Sequence, residues 1–156
     1  MIVRRASHSD MEAVAELSRE LAVHVNDPDP GPNASLLLEL GFGPDRWFEC
    51  LIADDGNRVV GFALFCRKFA AHTRTKRLWL GDLCVTADKR REGVGHALIA
   101  AVRARAAELG CTAVDFELAS QNDTARAFYK ELRALNCDDI EPLRLSPSIH
   151  EFESRA

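Results

Sequence analysis

Val85-Thr86-Ala87-Asp88-Lys89-Arg90-Arg91-Glu92-Gly93-Val94-Gly95-His96-Ala97-Leu98 decides how this chain is read. An apolar, strand-like segment ends at Val85. A basic turn with two glycines follows, and a helical pattern opens at Gly95. Such an arrangement aims several backbone N–H groups and the positive end of a helix dipole at one point, which suits an anion. Gly93 and Gly95 let the backbone approach that anion closely, and Arg90 and Arg91 add charge. The Gly-Lys-[Ser/Thr] of a Walker loop is missing. So is a Gly-x-Gly-x-x-Gly directly after a first strand with an acid about 20 residues on, which a dinucleotide turn needs. A diphosphate is the expected anion; a plain tight turn before a helix is the other reading the residues leave open.

Working outward, residues 95–109 put Leu98, Val102, Ala106 and Leu109 on one helical face, with Gly110 as the stop. Residues 113–118 read as a strand and 122–132 as a helix capped by Asn122. Upstream, 78–85 is a strand, and 47–53 with 58–67 form a hairpin around Asp54-Asp55-Gly56-Asn57. The basic stretch 68–77 reads as irregular. Residues 2–5 form a short strand. A helix over 9–25, with a capping box from Ser9 to Glu12 and a Val14, Leu17, Leu21, Val25 stripe, comes next. A short helix over 34–40 follows the turn-rich 26–33. Residues 136–152 are read as one or two strands, around 143–145 and 149–152. The order β-α-α-β-β-β-α-β-α-β has an antiparallel middle and a strand–helix–strand over 78–118 that demands a parallel crossover. The expectation is one α/β (α+β) domain over 1–156, with a mixed, mostly antiparallel sheet and helices on both faces.

Composition narrows the function. The 156 residues are 47% apolar, enough for a core, and the net charge of −4 argues against a nucleic-acid binder. The five cysteines lack any Cys-x-x-Cys pair, so reduced thiols are expected and a zinc site is not. The chain turns charged at Arg4-Arg5, and its longest apolar run, 59–66, is too short for a bilayer. No leader, no membrane partner and a soluble cytoplasmic protein are therefore expected.

Arg90-x-x-Gly93-x-Gly95 after a strand, then Asn122 and Phe128-Tyr129-Lys130 on the next helix, resembles the GNAT superfamily of acetyl-CoA-dependent N-acetyltransferases. The resemblance covers nearly the whole chain. Gly41-Phe42-Gly43, Val60-Gly61-Phe62-Ala63, Leu80-x-Asp82-Leu83-x-Val85 and Ala127-Phe128-Tyr129-Lys130 look most like its diamine (spermidine/spermine-type) members. It implies a central sheet splayed in the middle and acetyl-CoA (CoA) as cofactor. The cofactor's arm would pair with Leu83, Cys84 and Val85, and its diphosphate would rest on Arg90, Arg91, Glu92, Gly93, Val94, Gly95 and His96. Asn122 would meet the arm further along. Tyr129, the only tyrosine, matches the family's general acid and would also touch the cofactor. A backbone N–H near Leu83 or Cys84 would stabilise the oxyanion. Glu141 matches an acidic substrate position, and His24 a tyrosine position near the amine. The diamine members' acids at the positions of Gly81 and Val25 are absent. The glycine that follows the tyrosine helix is Arg133 here, which implies a different local turn.

The residues themselves add one candidate. Asp82 lies mid-strand among apolar neighbours, where an unpaired carboxylate is costly. A catalytic base or substrate contact would explain it; so would a structural pairing with backbone N–H groups or an arginine. Tyr129 equally fits an apolar stripe with Ala125, Phe128 and Leu132. The basic stretch reads as a solvated loop, and the histidines show no ligand spacing. Trp47 and Trp79 read as core or dimer-interface anchors. The expected function is acetyl transfer from acetyl-CoA to a small-molecule primary amine by direct attack in a ternary complex. A catalytically silent acyl-CoA-binding sensor or scaffold is the alternative. A homodimer is expected, with the segment near Ile149 contributing.

Overall fold

The structure, a computed structural model, describes residues 1–29, 31–137 and 143. The chain divides into two units, Met1–Glu117 and Leu118–Ala156. The first holds a five-stranded sheet in the order β1 (Ile2–Arg5), β2 (Glu49–Asp54), β3 (Val59–Ala70), β4 (Thr75–Val85), β5 (Ala113–Asp115). Pairs β1–β2, β2–β3 and β3–β4 are antiparallel; β4–β5 is parallel. Helices α1 (Met11–His24), α2 (Ala34–Phe42) and α3 (Val94–Glu108) belong to the same unit. In the second unit lies α4 (Asp123–Glu131). The mixed sheet with its single parallel crossover is as the sequence order demanded. The proposed strands around 143–145 and 149–152 lie outside the described residues apart from Leu143.

Alternation along the strands sorts the core into two layers. Met11, Val14 and Leu17 of α1 and Leu37 of α2 cluster with Cys50, Ile52, Phe62 and Cys84 on one face. On the other, Leu98 and Val102 of α3 are fully buried. There a Cβ on Gly61 would meet the Cys84 carbonyl oxygen at 2.8 Å and a Leu98 methyl at 3.2 Å, so only glycine fits. Each fully buried large side chain, such as Phe62 or Phe65, contributes about 1.5–3 kcal/mol.

Several boundaries move for identifiable reasons. The α1 cap is Ser7 with Asp10, through a 3-10 turn over His8–Asp10, and not Ser9 with Glu12. The Asp10 carboxylate accepts from the Ser7 amide at 2.7 Å and from both Arg4 Nη atoms at 2.8 and 2.9 Å. That pairing with Arg4 holds Asp10 well below the usual carboxylate range. Val25 falls just past α1 and is 44% exposed, so the apolar stripe stops at Leu21. The basic 68–77 stretch is not a loop: β3 and β4 form a long hairpin that turns only at residues 71–74. Arg67 and Lys68 pair across it with Leu78 and Arg77. Trp47 is 70% exposed and no core anchor. Among the described residues no helix is long and apolar enough to cross a membrane.

Candidate active site

β5 is shorter than its sequence pattern predicts, and that shortness opens the sheet. It pairs with β4 only at Arg77, Leu78 and Trp79. From Leu80 to Val85, β4 is bonded to β3 alone among the described residues. The Thr86 amide donates to the Val60 carbonyl at 3.0 Å. By alternation the Cys84 and Asp82 amides also face β3, so those of Leu83 and Val85 face the open side. The Arg90 Nε donates to the Val85 carbonyl at 3.1 Å, as an outward-facing group allows. Cys84 turns the other way. Its thiol donates to the Leu17 carbonyl at 3.5 Å, and burial pushes its pKa up to about 11. Leu83, not Cys84, thus offers an amide on the open side.

The bulge that aims Asp82 went unread in the sequence. Leu64 pairs with Asp82, but Phe65 pairs with Leu80, leaving Gly81 as the extra residue. Leu80 shares a face with Phe65 and Glu49, which bonds Arg105 of α3. Asp82, two residues on, shares the opposite face with Leu64 and Cys50, against α1 and α2. A bulge commonly re-aims a side chain in this way; a glycine inside a strand pattern was its available signal. The Asp82 side chain reaches solvent and has no hydrogen bond or ion pair among the described residues. Enough protein still crowds the carboxyl that desolvation raises its pKa above the ordinary value. The structural pairing considered for it is absent there. His24 closes α1 and is exposed.

Past Val85 the glycine turn forms as expected. Gly93 caps α3 with φ +83°, a left-handed conformation glycine adopts freely, and a Cβ there would meet nothing within 4 Å. Gly95, by contrast, lies inside α3. The Ala97 N–H bonds Gly93 O at 3.0 Å, across the helix's first turn. The amides of Val94 and Gly95 precede that bond in the first turn, where anion-holding donors lie. Arg91 also takes a left-handed φ of +64°, and Lys89 pairs with Glu92 at 3.4 Å. Asp88 steadies the approach: it accepts from the Thr86 hydroxyl at 3.0 Å and pairs with Arg58. The sequence alone did not single out Arg58, Thr86 or Asp88.

In the second unit, Asn122 caps α4, its side-chain oxygen accepting from the Ala125 amide at 3.0 Å. That occupies the carbonyl of a residue expected at the cofactor. Phe128 meets Tyr129 edge-on, with ring centroids 5.1 Å apart. Burial pushes the Tyr129 phenol up to about 12, so it stays protonated at neutral pH. Arg133 adopts φ +57°, the conformation a glycine would take, so the turn expected to differ keeps a left-handed residue. Glu141 lies outside the described residues. Among those described, no group of three or more His, Cys, Asp or Glu is placed to hold a metal.

Residues 12–133 match the acetyltransferase (GNAT) family. The chain belongs to that family. Enzymes of the GNAT family use acetyl-CoA, and this one is an N-acetyltransferase. It is similar to the thialysine N-epsilon-acetyltransferase of Bos taurus, 26% identical over 150 residues that span 90% of this chain and 88% of the bovine one. It is also similar to the spermidine/spermine N(1)-acetyltransferase-like protein 1 of Homo sapiens, 29% identical over 147 residues. That match spans 89% of this chain and 21% of the human protein. Among solved structures, an integron cassette protein from the mobile metagenome of V. cholerae superposes with a TM-score of 0.79. It is 22% identical, with 93% of this chain and 91% of that one covered, which establishes the GNAT fold alone.

Proposed function

We propose that this GNAT enzyme moves acetyl from acetyl-CoA to a primary amine of a small molecule, within one domain spanning both units. The observation that carries the reading is the open half of β4 running into an amide-rich, glycine-capped helix start. The names of its thialysine and spermidine/spermine relatives support an aliphatic amine as acceptor. Acetyl-CoA supplies the activated acyl group as a thioester.

The chain's residues supply the rest. Val94, Gly95 and His96 amides, with Arg90 and Arg91, hold the diphosphate. Leu83 and Val85 offer outward backbone groups to the arm, in the manner of an added strand. Holding the arm there, Arg90 must release the Val85 carbonyl. The Leu83 N–H donates to the oxygen on which negative charge develops. Asp82 takes the proton that the attacking amine must lose, directly or through one water. Its unpaired, partly desolvated carboxylate is a stronger base than an ordinary aspartate. Tyr129 gives its phenolic proton to the departing thiolate sulfur. His24 and Glu141 contact the amine substrate. A homodimer and a cytoplasmic location complete the proposal; the expected Ile149 contribution to the dimer lies outside the described residues.

The test is thiol release from acetyl-CoA across thialysine, lysine, spermidine and aminoglycoside amines. Turnover is expected with at least one, and Tyr129→Phe should lower kcat about a hundredfold with CoA affinity unchanged. Tight CoA binding without turnover on any amine would overturn the reading.

A further inference from the structure

At the end of the sheet away from the glycine turn lies a cavity of about 610 Å³, within the size range of small-molecule sites. Its walls come from the end of β1, the start of β2, the segment after α2, β3 and the C-terminal half of α3. Arg105 stands twelve residues beyond Gly93 on α3, about 18 Å along the helix. The cavity therefore lies apart from the glycine turn, and none of the residues assigned above to acetyl transfer lines it.

Its charge is unlike that of the chain as a whole. Arg5, Arg46, Arg67 and Arg105 line it against one lining carboxylate, Glu49, in a protein of net charge −4. Glu49 accepts from Arg105 Nε at 2.9 Å and from Arg67 Nη2 at 3.1 Å, and Arg105 also bonds Glu108 at 3.0 Å. Two guanidinium groups are thus already neutralised and held in place. The Arg5 and Arg46 side chains have no hydrogen bond or ion pair among the described residues. Beside Arg46, Trp47 exposes 70% of its surface at the cavity wall. A water-exposed indole lining the same cavity as two unpaired guanidinium groups is suited to a ligand with a flat face and negative charge.

We propose that this cavity is a second ligand site, for a small dianion carried on a flat ring: an aryl phosphate or an aromatic dicarboxylate. Arg5 and Arg46 take the two charges in forked hydrogen bonds, and the ring lies on Trp47. Arg67 and Arg105, fixed and neutralised by Glu49 and Glu108, form the rigid floor.

Titration calorimetry on the full chain, with CoA saturating so that the glycine turn is filled, tests this. Phenyl phosphate and phthalate separate the two sources of charge. Benzyl alcohol serves as the neutral control. At least one dianion should bind with Kd below about 1 mM, and the alcohol more weakly than about 10 mM. Arg5→Ala and Arg46→Ala, both at exposed positions, should each weaken the dianion about tenfold while CoA affinity stays unchanged. Trp47→Ala should weaken phenyl phosphate and leave inorganic phosphate unaffected. Absence of binding would overturn the proposal, as would wild-type affinity in the two arginine variants. So would competition by CoA, which would return the heat to the glycine turn. Gel filtration showing this face closed in a dimer that excludes phenyl phosphate would assign it to a protein interface instead.

Discussion

From Arg77 to Trp79, β4 is bonded to β3 on one side and β5 on the other; from Leu80 to Val85 it is bonded to β3 alone among the described residues. In the closed part, side chains reinforce the ladder. Arg77 and Lys68 reach Asp115 at 3.3 and 3.6 Å, and Lys68 sits over Trp79 at 5.2 Å. In the open part, Asp82 lacks a partner among the described residues, and the Leu83 amide faces away from β3. One strand therefore carries a segment bonded along both edges and a segment bonded along one edge alone among the described residues. Substitutions in the closed part should change stability without kinetics. In the open part, substitutions that remove only a group facing away from β3 should change kinetics more than stability.

A proline scan gives the sharpest break. Cys84→Pro removes an N–H that faces β3 and leaves a buried carbonyl without its donor, which should cost about 1–3 kcal/mol, read as a fall in Tm. Leu83→Pro removes an N–H that faces the open side. It should leave most of the Tm but lower kcat/KM about a hundredfold. Equal losses of stability in the two would show that alternation does not orient this edge as described.

Asp82→Asn should lower kcat about ten- to a hundredfold and erase the acid limb of the pH–rate profile. In the wild type that limb should lie above the ordinary aspartate value, because the folded pKa is raised. The same shift has a definite sign in stability. The native state keeps the proton longer than the unfolded chain, so stability falls as pH rises from the unfolded to the folded pKa. At neutral pH the asparagine variant should therefore melt higher than the wild type while working more slowly.

Gly93→Val forces a β-branched residue to φ +83°. It should raise KM for acetyl-CoA about tenfold through strain on the anion-holding amides. Smallest is Asp115→Ala, in the closed part: about 1 kcal/mol of stability, read by denaturant midpoint, with KM unchanged. A kinetic effect there would join the two parts of β4 that the bonding pattern separates.

Much of the site could be read in the sequence because it is local. The turn from Val85 to Ala97 needs only neighbouring residues, and its glycines, arginines and following helical period announce it. Asn122 before α4 is local in the same way. The parallel crossover over 78–118 followed from element order. What was missed depended on partners far along the chain. The cap at Ser7 and Asp10 is completed by Arg4, itself fixed across β1 and β2 and bonded to Asp54 at 3.2 Å. Lys68, Lys76 and Arg77 read as a loop because they are charged. Cross-strand pairing makes them strand, since a hairpin edge tolerates long charged side chains. The left-handed conformation at Arg133 carries no glycine to signal it.

By itself the sequence determined the glycine turn, the helix that follows it, the lone phenol and the order of strands and helices as far as α4. These rest on residue type and on spacings within one turn or one strand. Only the tertiary structure decided that Gly81 is a bulge, which puts Asp82 on the α1 face and Leu80 on the α3 face. It alone decided that β5 stops at Asp115, so that beyond Trp79 β4 is bonded to β3 alone among the described residues. Pairing between strands sets register, and a one-residue change in register reverses which face a side chain takes. No local pattern holds that information.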